Sequence, residues 1–206
     1  MLEYHIETMK IELVTYQAEE AVAALNSGGV LHLRKEDEHL THLASFGPDT
    51  GFSYAYRFVI HEMRKRLPKA KIEDTCFPIW AWQKIEGKNP PTPYLDYIHR
   101  GKVRLRILID EERILSSYFD MFSYLLSGGL YFNLSKDDEL KYGKDIFAPE
   151  ESFYPNLEAM LNLHCKRANG YAPSYRKETI QATFWELYPE DIVDSALIPA
   201  DMKEPK

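Results

Sequence analysis

Between residues 10 and 16 the chain alternates, with Ile11, Leu13 and Thr15 on one side and Glu12, Val14 and Tyr16 on the other, which predicts a half-buried strand. Residues 18–26 change period. Glu19 and Glu20 suit a first helical turn, Ala21, Val22 and Leu25 make an apolar stripe, and Gly28-Gly29 supplies a stop. A second strand is expected over 30–33, followed over 34–42 by a charged, solvated loop or exposed helical turn. Asp49 then caps a helix in which Phe52, Tyr56, Val59, Ile60, Met63 and Leu67 recur every three or four residues until Pro68. Residues 77–85 form a strand on which Trp80 and Trp82 share a face, and the prolines at 90, 91 and 93 confine the next stretch to a loop. Val103, Leu105, Ile107 and Ile109 mark another strand, with Arg104 and Arg106 on its opposite face.

From Asp110 the spacing of Leu115, Tyr118, Phe119, Phe122, Leu125 and Leu126 predicts a helix closed by Gly128-Gly129. Residues 135–149 are polar, acidic and without period, the pattern of a mobile insertion. Leu157, Met160 and Leu161 suggest one more helix. The run Thr179-Ile180-Gln181-Ala182-Thr183-Phe184-Trp185-Glu186-Leu187 reads as the last strand, with Pro189 opening a helix or turn and 199–206 a frayed tail. Together these elements predict an α+β fold over 1–206, a single domain whose central mixed or antiparallel sheet is flanked by helices.

Composition narrows the chemistry. With 45% hydrophobic and 13% aromatic residues in 206, the chain can bury a core. Its net charge of −7 argues against a broad phosphate-binding surface, which needs clustered Lys and Arg. The two cysteines, Cys76 and Cys165, are too few for a disulfide scaffold and read as reduced thiols in a cytoplasmic protein. Neither a secretion signal nor a membrane-length apolar run is visible, so no membrane association is expected. His39 and His42 with Glu36 and Glu38 lack a further ligand-dense motif, and no metal is expected. Glycine-rich dinucleotide and phosphate loops and the Gly-x-Ser-x-Gly turn are absent. Cys165 beside His164 does not make a nucleophile and base pair, because neighbours on a helix point about 100° apart.

Phe77-Pro78-Ile79-Trp80-Ala81-Trp82, the helix with His61-Glu62-Met63 and Arg66, the segment from Ile114-Leu115-Ser116 to Leu125 and Ile180-Gln181-Ala182-Thr183-Phe184-Trp185-Glu186-Leu187 resemble a bacterial family catalogued as a domain of unknown function. Val14-Thr15-Tyr16-Gln17 is an altered version of that family's first-strand Trp-Thr-x-Gln. Leu115-Ser116-Ser117-Tyr118-Phe119-Asp120 departs from its Leu-Ser-Asp-Phe-Asp.

More distantly, the order of elements resembles the ADP-ribosyltransferase fold. That resemblance implies an enzyme that grips NAD in a cleft, stacks nicotinamide on an aromatic ring and sets a carboxylate beside the ribose as the glycosidic bond breaks. It would make Glu186 and Gln181 the catalytic candidates, with Thr15, Tyr16, Gln17, Trp82 and Arg104 binding the NAD. On a regular strand, however, Glu186 shares a face with Ile180, Ala182 and Phe184, while Gln181, Thr183 and Trp185 point the other way, so the acid is expected at a strand end. The first strand also lacks the Arg or His of such enzymes, leaving His32 or Arg34 as replacements. The implied function is transfer of ADP-ribose to a protein or nucleic-acid acceptor, as in a toxin or phage-defence effector held by an inhibitory partner. The competing reading is a non-catalytic binding or regulatory protein that holds a protein partner in an aromatic cleft. The two differ in geometry, since the enzyme needs Tyr16 or Gln17, Trp82, and Glu186 or Gln181 around one cavity.

Overall fold

In the computed structural model, which describes residues 9–34, 51–67, 76–119, 122, 123 and 179–205, the alternating segments become strands. These are β1 (Lys10–Gln17), β2 (Leu33–Arg34), β3 (Cys76–Phe77), β4 (Ile79–Lys84), β5 (Val103–Asp110), β6 (Leu115–Tyr118), β7 (Ile180–Phe184) and β8 (Ile192–Leu197). Helices α1 (Glu19–Asn26), α2 (Gly51–Arg66) and α3 (Pro93–Ile98) accompany them among the described residues. Six strands make one sheet in the order β6-β7-β4-β1-β5-β8, and every neighbouring pair in it is antiparallel. β2 and β3 form a separate two-stranded ladder. The architecture is α+β with an antiparallel sheet.

The alternation read in the sequence sorts the two faces. On one, Leu13, Leu105, Ile107, Ile109, Ile79, Ala81, Ala182 and Phe184 form the main core with Val22 and Leu25 of α1. Each fully buried side chain of this kind contributes roughly 1.5–3 kcal/mol. The other face carries a smaller cluster of Val14, Tyr16, Leu95 and Ile198, against which Trp82, Ile85 and Met202 pack. Met202 and Ile198 therefore fasten the stretch expected as a frayed tail, and the amide of Gly101 donates to the carbonyl of Ile198. α1 ends as Gly28-Gly29 predicts. Gly28 takes φ +85°, its amide donates to Leu25, and that of Gly29 reaches back to Ala24.

Several expectations are corrected. Asp110 does not begin a helix: Glu111–Arg113 is a single 3₁₀ turn, Leu115–Tyr118 pairs with β7, and, among the described residues of this stretch, α-helical geometry begins at Phe119 and includes Phe122 and Ser123. Leu115 and Ser117 alternate inward with period two, a signal masked by the aromatic spacing that follows. The second strand is shifted to Leu33–Arg34, with Leu31 making an isolated bridge to Leu187. β7 is not the last strand. After a 3₁₀ turn over Pro189–Asp191, β8 forms the sheet edge beside β5. α3 occupies the end of the proline loop, with Pro93 in its first turn and Thr92 Oγ1 accepting from the amide of Leu95. The 35–42 loop, the 135–149 insertion, the helix near Leu157, and Cys165 lie outside the described residues.

Candidate functional site

β1 is hydrogen-bonded to β5 along its full length, through eight register pairs from Lys10↔Asp110 to Gln17↔Val103. Its other neighbour is held differently. Among the described residues β1 and β4 share one register pair, Val14↔Trp82, and a cavity lies on either side of it. Towards the end of β1 it is a cleft of about 890 Å³. Towards its start lies a smaller cavity of about 210 Å³, lined by residues such as Lys10, Glu12, Gln83 and Lys84.

Where strand pairing ends, backbone groups need other partners. Here the Thr15 hydroxyl donates to the carbonyl of Trp80 at 2.8 Å and accepts from Gln17 Nε2 at 2.7 Å. Thr15 is 1% exposed, so its side chain closes the end of the seam. Tyr16, on the opposite face, donates its hydroxyl to Asp96 Oδ1 at 2.7 Å and stacks on His99 with centroids 4.3 Å apart. Burial, reinforced by Asp96, pushes the Tyr16 phenol well above its ordinary range. It acts as a neutral donor. Burial, aided by nearby Lys102 and opposed by Asp96, lowers His99 to about 4.

The large cleft gathers Thr15, Tyr16, Gln17, Trp82 and Gln181. Its remaining wall is strongly aromatic. Trp80 lies 4.6 Å from Phe122 and 5.6 Å from Tyr56, and Trp82 meets Phe119 edge-on at 4.9 Å. Burial raises Tyr56 to about 12 against the lowering influence of the Trp80 indole, yet Trp80 Nε1 is buried with no partner at hydrogen-bonding geometry. Gln181, 4% exposed, is oriented by a 3.2 Å hydrogen bond from its Nε2 to Ser117 Oγ. Glu20 and Lys102 line the cleft as its exposed charges, and His32 lines it from the segment before β2.

Two of the residues singled out in the sequence stand apart. Arg104 does not line the cleft; its guanidinium donates to Asp96 Oδ2, the carboxylate that also holds Tyr16. Glu186 lies past the end of β7, behind His32, with Oε1 4.0 Å from His32 Nδ1 and Oε2 accepting from the Tyr188 hydroxyl at 2.6 Å. Nearby, Arg113 forms a bidentate pair with Asp191 at 2.7 and 2.9 Å and donates to the carbonyl of Glu186. Asp191 also accepts from the amide of Tyr188.

Tyr56, Phe122 and His99 enter the cleft without having been marked as site residues. Tyr56 and Phe122 carry only the signature of apolar helix positions, and His99 follows a helix too short to show a period. Among the described residues no group of three or more His, Cys, Asp or Glu side chains could hold a metal ion, and no helix is long and apolar enough to cross a membrane.

The arrangement offers a planar ligand an aromatic wall, with amide, hydroxyl and imidazole groups along its edges. A family model described as "Domain of unknown function (DUF3841)" matches residues 12–193, from β1 into β8. No curated protein and no solved structure matches the chain.

Proposed function

Since the chain belongs to this DUF3841 family, whose description assigns no activity, we propose from its own geometry that the protein is an ADP-ribosyltransferase-like enzyme acting on NAD in the β1/β4 cleft. The observation that carries the reading is the shared cleft: Thr15, Tyr16 and Gln17 of β1, Trp82 of β4 and Gln181 of β7 line one aromatic-walled cavity. A nicotinamide ring suits that wall, and the amide of Gln181 suits a ribose hydroxyl.

In the transfer, the bond between nicotinamide and ribose C1′ breaks and nicotinamide leaves with the electron pair. Positive charge develops on the ribose, the nucleophilic atom of the acceptor bonds to C1′, and its proton is released. A fixed anion near that charge lowers the barrier, and Glu186, behind His32, is the acid on that side. Arg104, held by Asp96, contributes through the orientation of Tyr16. Modification of a protein or nucleic acid with NAD in the cytoplasm is chemistry that suits a toxin or phage-defence effector, and such an effector calls for an inhibitory partner; this last step is fold-level analogy.

The test is incubation of the purified protein, and of a Glu186→Gln variant, with labelled NAD and a cell lysate, followed by separation of protein and nucleic-acid fractions. Label transferred by the native protein and lost in the variant is the expected result. Neither transfer nor NAD consumption by the folded protein, with a known transferase active in the same lysate, would overturn the proposal.

A second reading has its own support. Thr15, Arg104 and Glu186 are all engaged in contacts within the protein, as in a cleft kept for binding a partner rather than for chemistry. That reading predicts that the same incubation leaves NAD intact.

A further inference from the structure

His32 and Glu186 face each other because of a backbone contact one residue away. The Leu31 amide donates to the Leu187 carbonyl at 3.0 Å and the Leu187 amide to the Leu31 carbonyl at 3.2 Å. The bridge is isolated, and His32 and Glu186 are the residues that flank it on the side of the cleft, where their side chains approach each other. His32 Nδ1 is shut off from solvent and has no hydrogen-bond partner. Among the described residues, the acid beside it is Glu186, whose Oε1 lies 4.0 Å away.

The carboxylate is held from behind. Tyr188 donates to Oε2, and its phenol pKa is raised, chiefly by that hydrogen bond, so the tyrosine keeps its proton. The Tyr188 ring in turn lies 4.8 Å from the guanidinium carbon of Arg113, which is fixed by Asp191. A buried imidazole nitrogen without a partner is costly, and a carboxylate with one oxygen turned towards it is the group that can relieve the cost. Because His32 lines the cleft and its Nδ1 does not reach solvent, the nitrogen left to a ligand is Nε2.

We propose that His32 is the proton acceptor of the cleft and that Glu186 is its positioning residue, taking a hydrogen bond from Nδ1–H and leaving Nε2 bare. The proposal rests on the transfer reading above and changes the part Glu186 plays in it: the acid works through the imidazole instead of touching the ribose. As nicotinamide departs with the bonding electrons and the acceptor atom bonds to C1′, the acceptor's proton passes to Nε2. The resulting imidazolium is stabilised by Glu186. A small side-chain rotation closes the 4.0 Å separation to a hydrogen bond, in the free protein as in the loaded cleft.

The dyad is tested without NAD by long-range proton–nitrogen correlation NMR on protein carrying ¹⁵N-histidine, recorded well above the ordinary imidazole pKa so that the ring is neutral. His32 in the native protein is expected as the Nδ1–H tautomer. Glu186→Ala and the isosteric Glu186→Gln both weaken that preference, Ala the more, while the signals of the other histidines report that the fold is kept. An Nε2–H tautomer in the native protein, or a tautomer unmoved by Glu186→Ala, overturns the dyad even if transfer is observed.

With labelled NAD, His32→Ala is expected to lower the transfer rate by roughly 10²–10⁴-fold, the usual weight of a positioned base. His32→Gln, whose amide reaches the place of Nε2, retains more NAD binding than His32→Asn. Transfer undiminished in His32→Ala overturns the base while sparing the transfer reading. No transfer by the native protein overturns that reading and the base with it, and the tautomer measurement still decides the dyad.

Discussion

Val14 and Trp82 are opposed across the middle of the sheet, and the two cavities lie on either side of their contact. Val14 is completely buried, so this junction is a packed point between the two cavities. At the end of the seam that faces the larger cleft, a side chain joins the two strands.

That side chain is the Thr15 hydroxyl. Thr15→Val preserves shape but strips the Trp80 carbonyl and Gln17 amide of their partner. It is expected to cost about 1–3 kcal/mol in urea denaturation, whereas Thr15→Ser, which keeps the hydroxyl, costs less. Equal losses for the two would show that packing and not the hydrogen bonds closes the seam.

Trp82 offers the ligand-facing counterpart. Removing an aromatic ring that stacks a base forfeits about 1–3 kcal/mol, so Trp82→Ala is expected to weaken NAD binding by roughly tenfold or more, measured by calorimetry. An affinity equal to that of the native protein would remove Trp82 from the binding wall.

Acid lability is expected from His99. The folded protein keeps its imidazole neutral down to about 4, whereas the unfolded chain takes up the proton near the ordinary value of about 6.5. The stabilisation is therefore complete above about 6.5, is lost as pH falls from there to about 4, and changes no further below. Half-burial limits its size to about 1–2 kcal/mol after solvent screening. His99→Phe keeps a ring on Tyr16 and should flatten this window in urea midpoints recorded across pH; an unchanged slope would assign the lability elsewhere.

Asp191 is the fourth position. Buried to 4% exposure, it satisfies Arg113 and the Tyr188 amide together. Asp191→Ala leaves a part-buried guanidinium without its carboxylate and is expected to cost about 2–4 kcal/mol in denaturant unfolding. Double substitution with Arg113→Met should recover part of that loss, since it removes the stranded charge. Strictly additive effects would count against coupling.

Much of the sheet could be read from periodicity, because β1, β4, β5 and β7 each carry a buried apolar row that alternates or runs nearly unbroken. β8 carries none. It is an edge strand whose residues are mostly exposed, so burial imposed no pattern on Ile192–Leu197. β6 was hidden by aromatic spacing that belongs to the helical turn after it. The cleft was legible only in its ingredients: Thr15, Tyr16, Gln17, Trp82 and Gln181 stand out by type, but their meeting depends on where β1 and β4 part, a property of pairing between distant strands. For the same reason Arg104 looked available until α3 brought Asp96 to it.

The bridge between Leu31 and Leu187 has a consequence for altering this protein. Two main-chain hydrogen bonds, and not the side chains, join the segments at that point, so exchanging His32 or Glu186 removes a side-chain contact beside the cleft and leaves the bridge in place.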